Sequence, residues 1–223
     1  MNKLQRGLRM NVLKRFCSIF KSILLVTVVY FTFSPNASAA STQEGKWWRG
    51  QVHVHTNWAD AGDAVKWYKK AGYSFAIITD LNYATNVEGL QQFYGTPGRF
   101  CVIPGIELNK EAPVLGDKIY DMQGYGGTPN NIKEFRDPLT NYITLPQDDS
   151  ASAIYNQQGK MIRGVGGIPA IAHPNLNWST TVDDILKTDP VLIKHLEVST
   201  AEPGMNDLGG GGHPSTEEMW DQV

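Results

Sequence analysis

Gln51-Val52-His53-Val54-His55-Thr56 decides how the rest of the chain is read. It has the composition of a short β-strand. Side chains alternate faces along a strand, so His53 and His55 point one way while Val52 and Val54 point the other. Two imidazoles converging from one strand end make half of a metal site, because neutral imidazole binds zinc, iron and related metals. The alternative is a pair of exposed strand histidines without a ligand. The choice depends on what the other strand ends carry.

Working outward, Arg49 to His55 is a strand, and Asp60 to Gly72 reads as a helix. Ala64, Val65, Tyr68 and Ala71 recur at three and four, and Gly72 stops the pattern. Ser74 to Asp80 is apolar on both faces until its end, as in a buried parallel strand. Asn86 to Phe93 is a weak helix, and Phe100 to Leu108 a third strand interrupted by Pro104-Gly105. Lys118 to Gln123 is a candidate strand before the turn-rich Gly124 to Pro129. Asp149 or Ser150 caps a helix running to Gln158, and Ile168 to His173 is a strand ending in His-Pro. Thr181 to Lys187 is a short helix, Leu192 to Ser199 a strand, and Thr216 to Val223 a helix. Strands alternating with helices imply parallel pairing through right-handed crossovers. Five strand ends then carry His, Asp or Glu: His53 and His55, Asp80, Glu107, His173, and Glu197. In β/α barrels the C-terminal ends of the strands carry the chemistry.

The first 40 residues are of another kind. Lys3, Arg6, Arg9, Lys14, Arg15 and Lys21 form a basic opening without acids, and the apolar run Ile23 to Phe33 leads into Ser34-Pro35-Asn36-Ala37-Ser38-Ala39-Ala40. That layout is a secretory signal peptide, with cleavage expected after Ala39 or Ala40. The run has 11 residues, short of the roughly 20 that a spanning helix needs. An exported protein without stable membrane insertion is the expectation, and an uncleaved anchor is the alternative. The segment holds six of the 20 basic residues and none of the 22 acids, so residues 41–223 carry a net charge of −8. That balance argues against a nucleic-acid partner held by a broad basic field, but it leaves room for a small phosphorylated substrate reached through a metal. Cys17 lies in the leader, so Cys101 is the single cysteine of the mature chain and no internal disulfide can form. Its neighbours Phe100, Val102 and Ile103 suggest a buried thiol with a packing role.

The segments His53-Val54-His55-Thr56 with Asp60, Ala71 to Asp80, Ile103-Pro104-Gly105-Ile106-Glu107 and Ala172-His173-Pro174-Asn175 resemble, in order and spacing, the PHP (polymerase and histidinol phosphatase) metallohydrolases, and within them the CehA/McbA-like branch. The resemblance implies a distorted (β/α)7 barrel with two or three divalent metals (zinc, manganese or iron) at its mouth. It also implies hydrolysis, commonly of phosphate esters, by a metal-bound hydroxide. By it, His53 and His55 match first-metal ligands, Glu107 the bridging carboxylate, His173 a second-metal ligand, and Asp60 a position near a third metal. Asp80 orients a ligand or caps the following loop, and is the candidate catalytic residue.

The chain also departs from the family pattern. Leu81 stands where a histidine usually follows Asp80, which puts a third metal in doubt. Asp121, in Asp121-Met122-Gln123-Gly124, stands at a histidine ligand position. A carboxylate there favours harder cations such as manganese or magnesium. The family's final Asp-x-His strand has no counterpart before Val223, so the expected barrel is incomplete at its C-terminus. Trp58, Tyr83 and Trp178 follow the motif residues closely and are candidates to line the mouth. The leading expectation is an exported phosphoesterase. A carbamate or carboxyl-ester hydrolase of the same family, and a non-catalytic module that keeps part of the site, are the alternatives.

Overall fold

A computed structural model describes residues 45–112, 115, 118–133, 136–137, 143–145 and 150–223. The leader expected over residues 1–40 lies outside the described residues. Residues 45–47 belong to a first unit, Met1–Trp47, and carry no regular element; Trp48–Val223 form the second unit. No helix among the described residues is long and apolar enough to cross a membrane.

The second unit is built on one curled, mixed sheet in the order β1 (Gly50–Val54), β2 (Phe75–Ile78), β3 (Cys101–Ala112), β4 (Lys118–Tyr125), β5 (Ile168–Ile171). The first three strands pair in parallel, while β4 is antiparallel to both β3 and β5. The (β/α)7 barrel expected from the sequence is therefore not the fold, which is a half-barrel of five strands. The reason lies in β3. It runs on past Leu108 to Ala112, pairing with β2 over Cys101–Pro104 and with β4 over Gly105–Ala112. Among the described residues no crossover helix separates β3 from β4, and without one the next strand returns antiparallel. Glu107 thus sits in the middle of a strand, not at its end.

Five α-helices are described: α1 (Ala61–Lys70), α2 (Glu88–Tyr94), α3 (Ala151–Gly164), α4 (Val182–Leu186) and α5 (Thr216–Trp220). Asp60 caps α1 by accepting from the Asp63 N–H, and Ser150 caps α3 by accepting from Ala153. Such caps satisfy main-chain donors that the first turn leaves free. Helix α3 extends six residues beyond the expected Gln158, because Met161 and Ile162 bury against the sheet. The strand expected over Leu192 to Ser199 is reduced to one bridge, Leu196 beside Ile171, held by Ile171 N–H to His195 O and Glu197 N–H to Ile171 O. Cys101 is exposed, not buried: it opens β3 and alternates with Val102, which takes the core position.

Alternation along the strands divides the molecule into an apolar outside layer and a polar inside. Val54, Ala76, Ile78 and Val102 face α1 and α2, together with Val65, Val87 and Phe100. Ile106, Leu108, Tyr120, Met122 and Ile171 face α3 with Ile154, Tyr155 and Ile162. The odd-numbered residues of β3 and β4 point the other way, into the curl. Glu107, Asp121 and Gln123 there are buried without belonging to either apolar cluster. Gly105 lets the curl tighten: a Cβ at this position would lie 2.8 Å from the Ile78 carbonyl oxygen and from the Ile77 and Thr79 side chains.

Candidate metal centre

The site begins at the irregular end of β1. Its register against β2 shifts between Gln51 and Val54, and the Val54 N–H donates to the Thr79 hydroxyl at 3.0 Å. The irregularity re-aims the two histidines, as bulges do near functional sites. His53 Nε2 and His55 Nε2 come to 2.9 Å of each other and lie 3.3 and 2.9 Å from Glu107 Oε2. The other carboxylate oxygen, Oε1, lies 3.1 Å from His173 Nε2, which is also 3.5 Å from Asp121 Oδ2. Three imidazoles, two from the end of β1 and one from the segment after β5, thus converge on one buried carboxylate. His173 adopts a positive φ of 20°, a rare conformation for a non-glycine residue, and its N–H donates to Glu197 Oε2 at 3.1 Å.

A further layer fixes these groups. Glu197 accepts from His53 Nδ1 at 3.0 Å, which holds a proton on Nδ1 and directs Nε2 toward Glu107. Asn109 Nδ2 donates to Asp121 Oδ1 at 2.7 Å. Asp80 is 2 % exposed and accepts from Thr56 N–H, the Thr56 and Thr85 hydroxyls, and Asn57 N–H. Its carboxylate is engaged by the loop that follows His55 and by Thr85, so it positions that histidine. Asp60 is the exposed N-cap of α1 and is not part of the cluster. Among the aromatic candidates, the Trp58 ring lies 5.6 Å from His55 and is largely exposed, at the open side of the site. Trp178 instead stacks on His213, with ring centroids 4.3 Å apart. Leu81 bridges to Glu107 through the backbone alone.

The donor set fits divalent cations. His53, Glu107 and His173 each offer one ligand atom within 4.8 Å of the others. Bonds of about 2.1 Å at right or tetrahedral angles would separate neighbouring ligand atoms by about 3.0 to 3.4 Å, and the observed 2.9 to 3.5 Å contacts span that range. The split of Glu107, Oε2 toward His53 and His55 and Oε1 toward His173, suits a carboxylate shared by two ions.

Electrostatics point the same way. Burial alone would push His53 down, yet hydrogen bonds and charge from Glu107 and Glu197 outweigh it and raise its pKa to about 10. His173 is raised for the same reason by Glu107 and Asp121 despite its burial. Burial would raise Glu107, but the three surrounding imidazoles hold it well below the usual carboxylate range. Burial and the Glu107 charge lift Asp121 to about 7. The cluster holds positive charge strongly, and in the metal-free protein protons supply it.

A pH dependence follows. His53 binds its proton more tightly folded than unfolded, so the stability it contributes is fully present below pH 6.5 and is lost as pH rises through about 10. Asp121, raised to about 7 from 3.8, acts in the same sense at lower pH. Chelator-treated protein is therefore expected to show a falling Tm between pH 7 and 10, and cation-loaded protein a much flatter profile, because the cation replaces those protons. A metal-free Tm that rises over that interval would contradict this reading.

Sequence reasoning singled out His53, His55, Glu107, His173 and Asp121, which the fold brings together. It saw Glu197 only as a strand-end acid, and it did not assign Asn109 or Gln123. The period-two alternation of β4, which sets Asp121, Gln123 and Tyr125 on one face, was the available signal. No family model matches the chain, and no curated protein matches it.

Proposed function

We propose that this chain is an exported metal-dependent hydrolase that acts on a small phosphorylated ester through a two-cation centre. The observation that carries the reading is the convergence of His53, His55 and His173 on the two oxygens of buried Glu107. Bound cations would supply Lewis acidity and lower the pKa of water to about 7. His53 and His55 would hold one cation, His173 and Asp121 the other, and Glu107 would join them. Glu197 keeps His53 in the ligating tautomer, and Asp80 keeps the loop after His55 in place. Trp58, exposed beside His55, offers an apolar face to the organic part of a substrate. The resemblance of the ordered motifs to PHP metallohydrolases supports the phosphate-ester choice, and the −8 charge of residues 41–223 leaves room for it where cations are held.

The test is a screen of the purified protein, loaded with manganese, zinc or iron, against phosphate mono- and diesters, with carboxyl esters and carbamates in parallel. Turnover of a phosphate ester that is lost on chelation and restored on reloading is the expected result. Turnover confined to carboxyl esters or carbamates would overturn the substrate class while leaving the metal chemistry. No turnover in a metal-loaded protein would favour a binding module.

A further inference from the structure

Strand β4 presents Asp121, Gln123 and Tyr125 to the inside of the curl, opposite Asn109, Glu107 and Gly105 of β3. Asp121 is bonded to Asn109, and Tyr125 faces a glycine. Gln123, directly opposite Glu107, is different. It is fully buried, and both its Nε2 and its Oε1 lack a hydrogen-bond partner. Its neighbour on the other side is Ala170 of β5, which offers a methyl group. A buried amide with neither end satisfied costs the molecule its full desolvation penalty, and an apolar residue in the same slot would avoid it.

The contrast with Gln158 is informative. That glutamine, also fully buried, donates from Nε2 to the carbonyls of Leu108 and Tyr120 at 2.8 and 2.9 Å and ties α3 to the sheet. Its Nε2 has a structural task visible in the fold although its Oε1 is also without a partner, whereas neither end of Gln123 has one. Ala170, opposite Gln123, and Tyr125, two residues further along β4, line a cleft of about 560 Å³ together with Val52 and Glu197; Gln123 itself does not line it.

We propose that Gln123 is a positioning residue whose amide is completed by an oxygen of the ligand that enters the Glu107 centre with the cation, either water or a phosphate-type oxyanion. This rests on the metal-centre reading of the previous section. Satisfying the amide in this way strengthens cation binding. Outer hydrogen-bond partners of metal centres characteristically contribute about 10- to 100-fold in affinity.

The experiment compares full-length wild type with Gln123→Met, which keeps the volume, Gln123→Leu as a second apolar replacement, and Gln158→Leu as a structural control. Each protein is stripped with chelator. Tm is then measured, and Mn²⁺ or Zn²⁺ affinity is measured by calorimetry, with the metal alone and with inorganic phosphate added. The Gln123 variants are expected to melt at or above wild type when metal-free, yet to bind the cation about tenfold more weakly. A deficit with metal alone identifies the oxygen as water; one that emerges only with phosphate identifies the oxyanion; either supports the proposal. The Gln158 variant is expected to melt lower in both states with unchanged cation affinity. Gln123 variants that bind as tightly as wild type under both conditions overturn the proposal and leave the metal centre standing. So do variants that lose Tm equally with and without metal, which would assign Gln123 a permanent buried water. Wild type that takes up no cation overturns the metal reading and this inference with it.

Discussion

Glu107→Gln is expected to abolish tight cation binding, with affinity falling by more than about 100-fold, beyond the range set by outer-layer partners. Glu107 is 1 % exposed and contacts His53 and His55 through one oxygen and His173 through the other. An amide of the same shape removes the negative charge and replaces one acceptor by a donor aimed at imidazole. Neither proposed cation position would then have its shared anionic ligand. In the metal-free protein the substitution also removes the hydrogen bond and charge that hold the His53 proton, so the fall in Tm between pH 7 and 10 should shrink. Calorimetric titration with Mn²⁺ and Zn²⁺, with Tm followed against pH, checks both. Wild-type affinity in the variant would remove Glu107 from the centre.

Asp80→Ala should be the most destabilising single substitution around the site, by about 3 to 5 kcal/mol. Its carboxylate is the acceptor for Thr56 N–H, the Thr56 hydroxyl, Asn57 N–H and the Thr85 hydroxyl. Removing it orphans donors in a buried setting, where each lost partner carries a desolvation penalty. Asp80→Asn should be milder but still costly, since its NH₂ group would face donors. Urea unfolding gives the magnitude. Because the freed loop begins one residue after His55, cation affinity should fall too. If Asp80→Ala kept full stability while losing turnover alone, Asp80 would be a catalytic group and not a positioning one.

Much of the site can be read from the chain, because its residues lie in short ordered motifs whose chemistry is carried by residue type. The His-x-His pair, Glu107 before Leu108, and His173 before Pro174 identify themselves, and the helix signals place α1, α2 and α4 within a few residues. The architecture was less legible. The apolar runs at Ser74 to Asp80 and Phe100 to Leu108 do read as parallel strands, and those two strands do pair in parallel. Nothing in residues 109–125 announces that β3 continues to Ala112 and that β4 returns against it. Asn109, Asp121 and Gln123 are polar because they face an internal polar site, so the pattern that marks a core strand is hidden there. A mixed sheet was therefore read as an alternating barrel. Glu197 was obscured similarly: the segment around it is held by one bridge to β5, and its importance lies in reaching His53, 144 residues away.

The central claim is that His53, His55, Glu107, Asp121 and His173 form a cation centre. Elemental analysis of the purified chain, after reloading with manganese, zinc or iron and removal of loosely held ions, tests it most directly. The account predicts about two equivalents per chain, as for a two-metal hydrolytic site, and their loss in the His53→Ala, His55→Ala double variant. Folded protein that holds no cation after reloading, or holds as much in the double variant as in wild type, would contradict it.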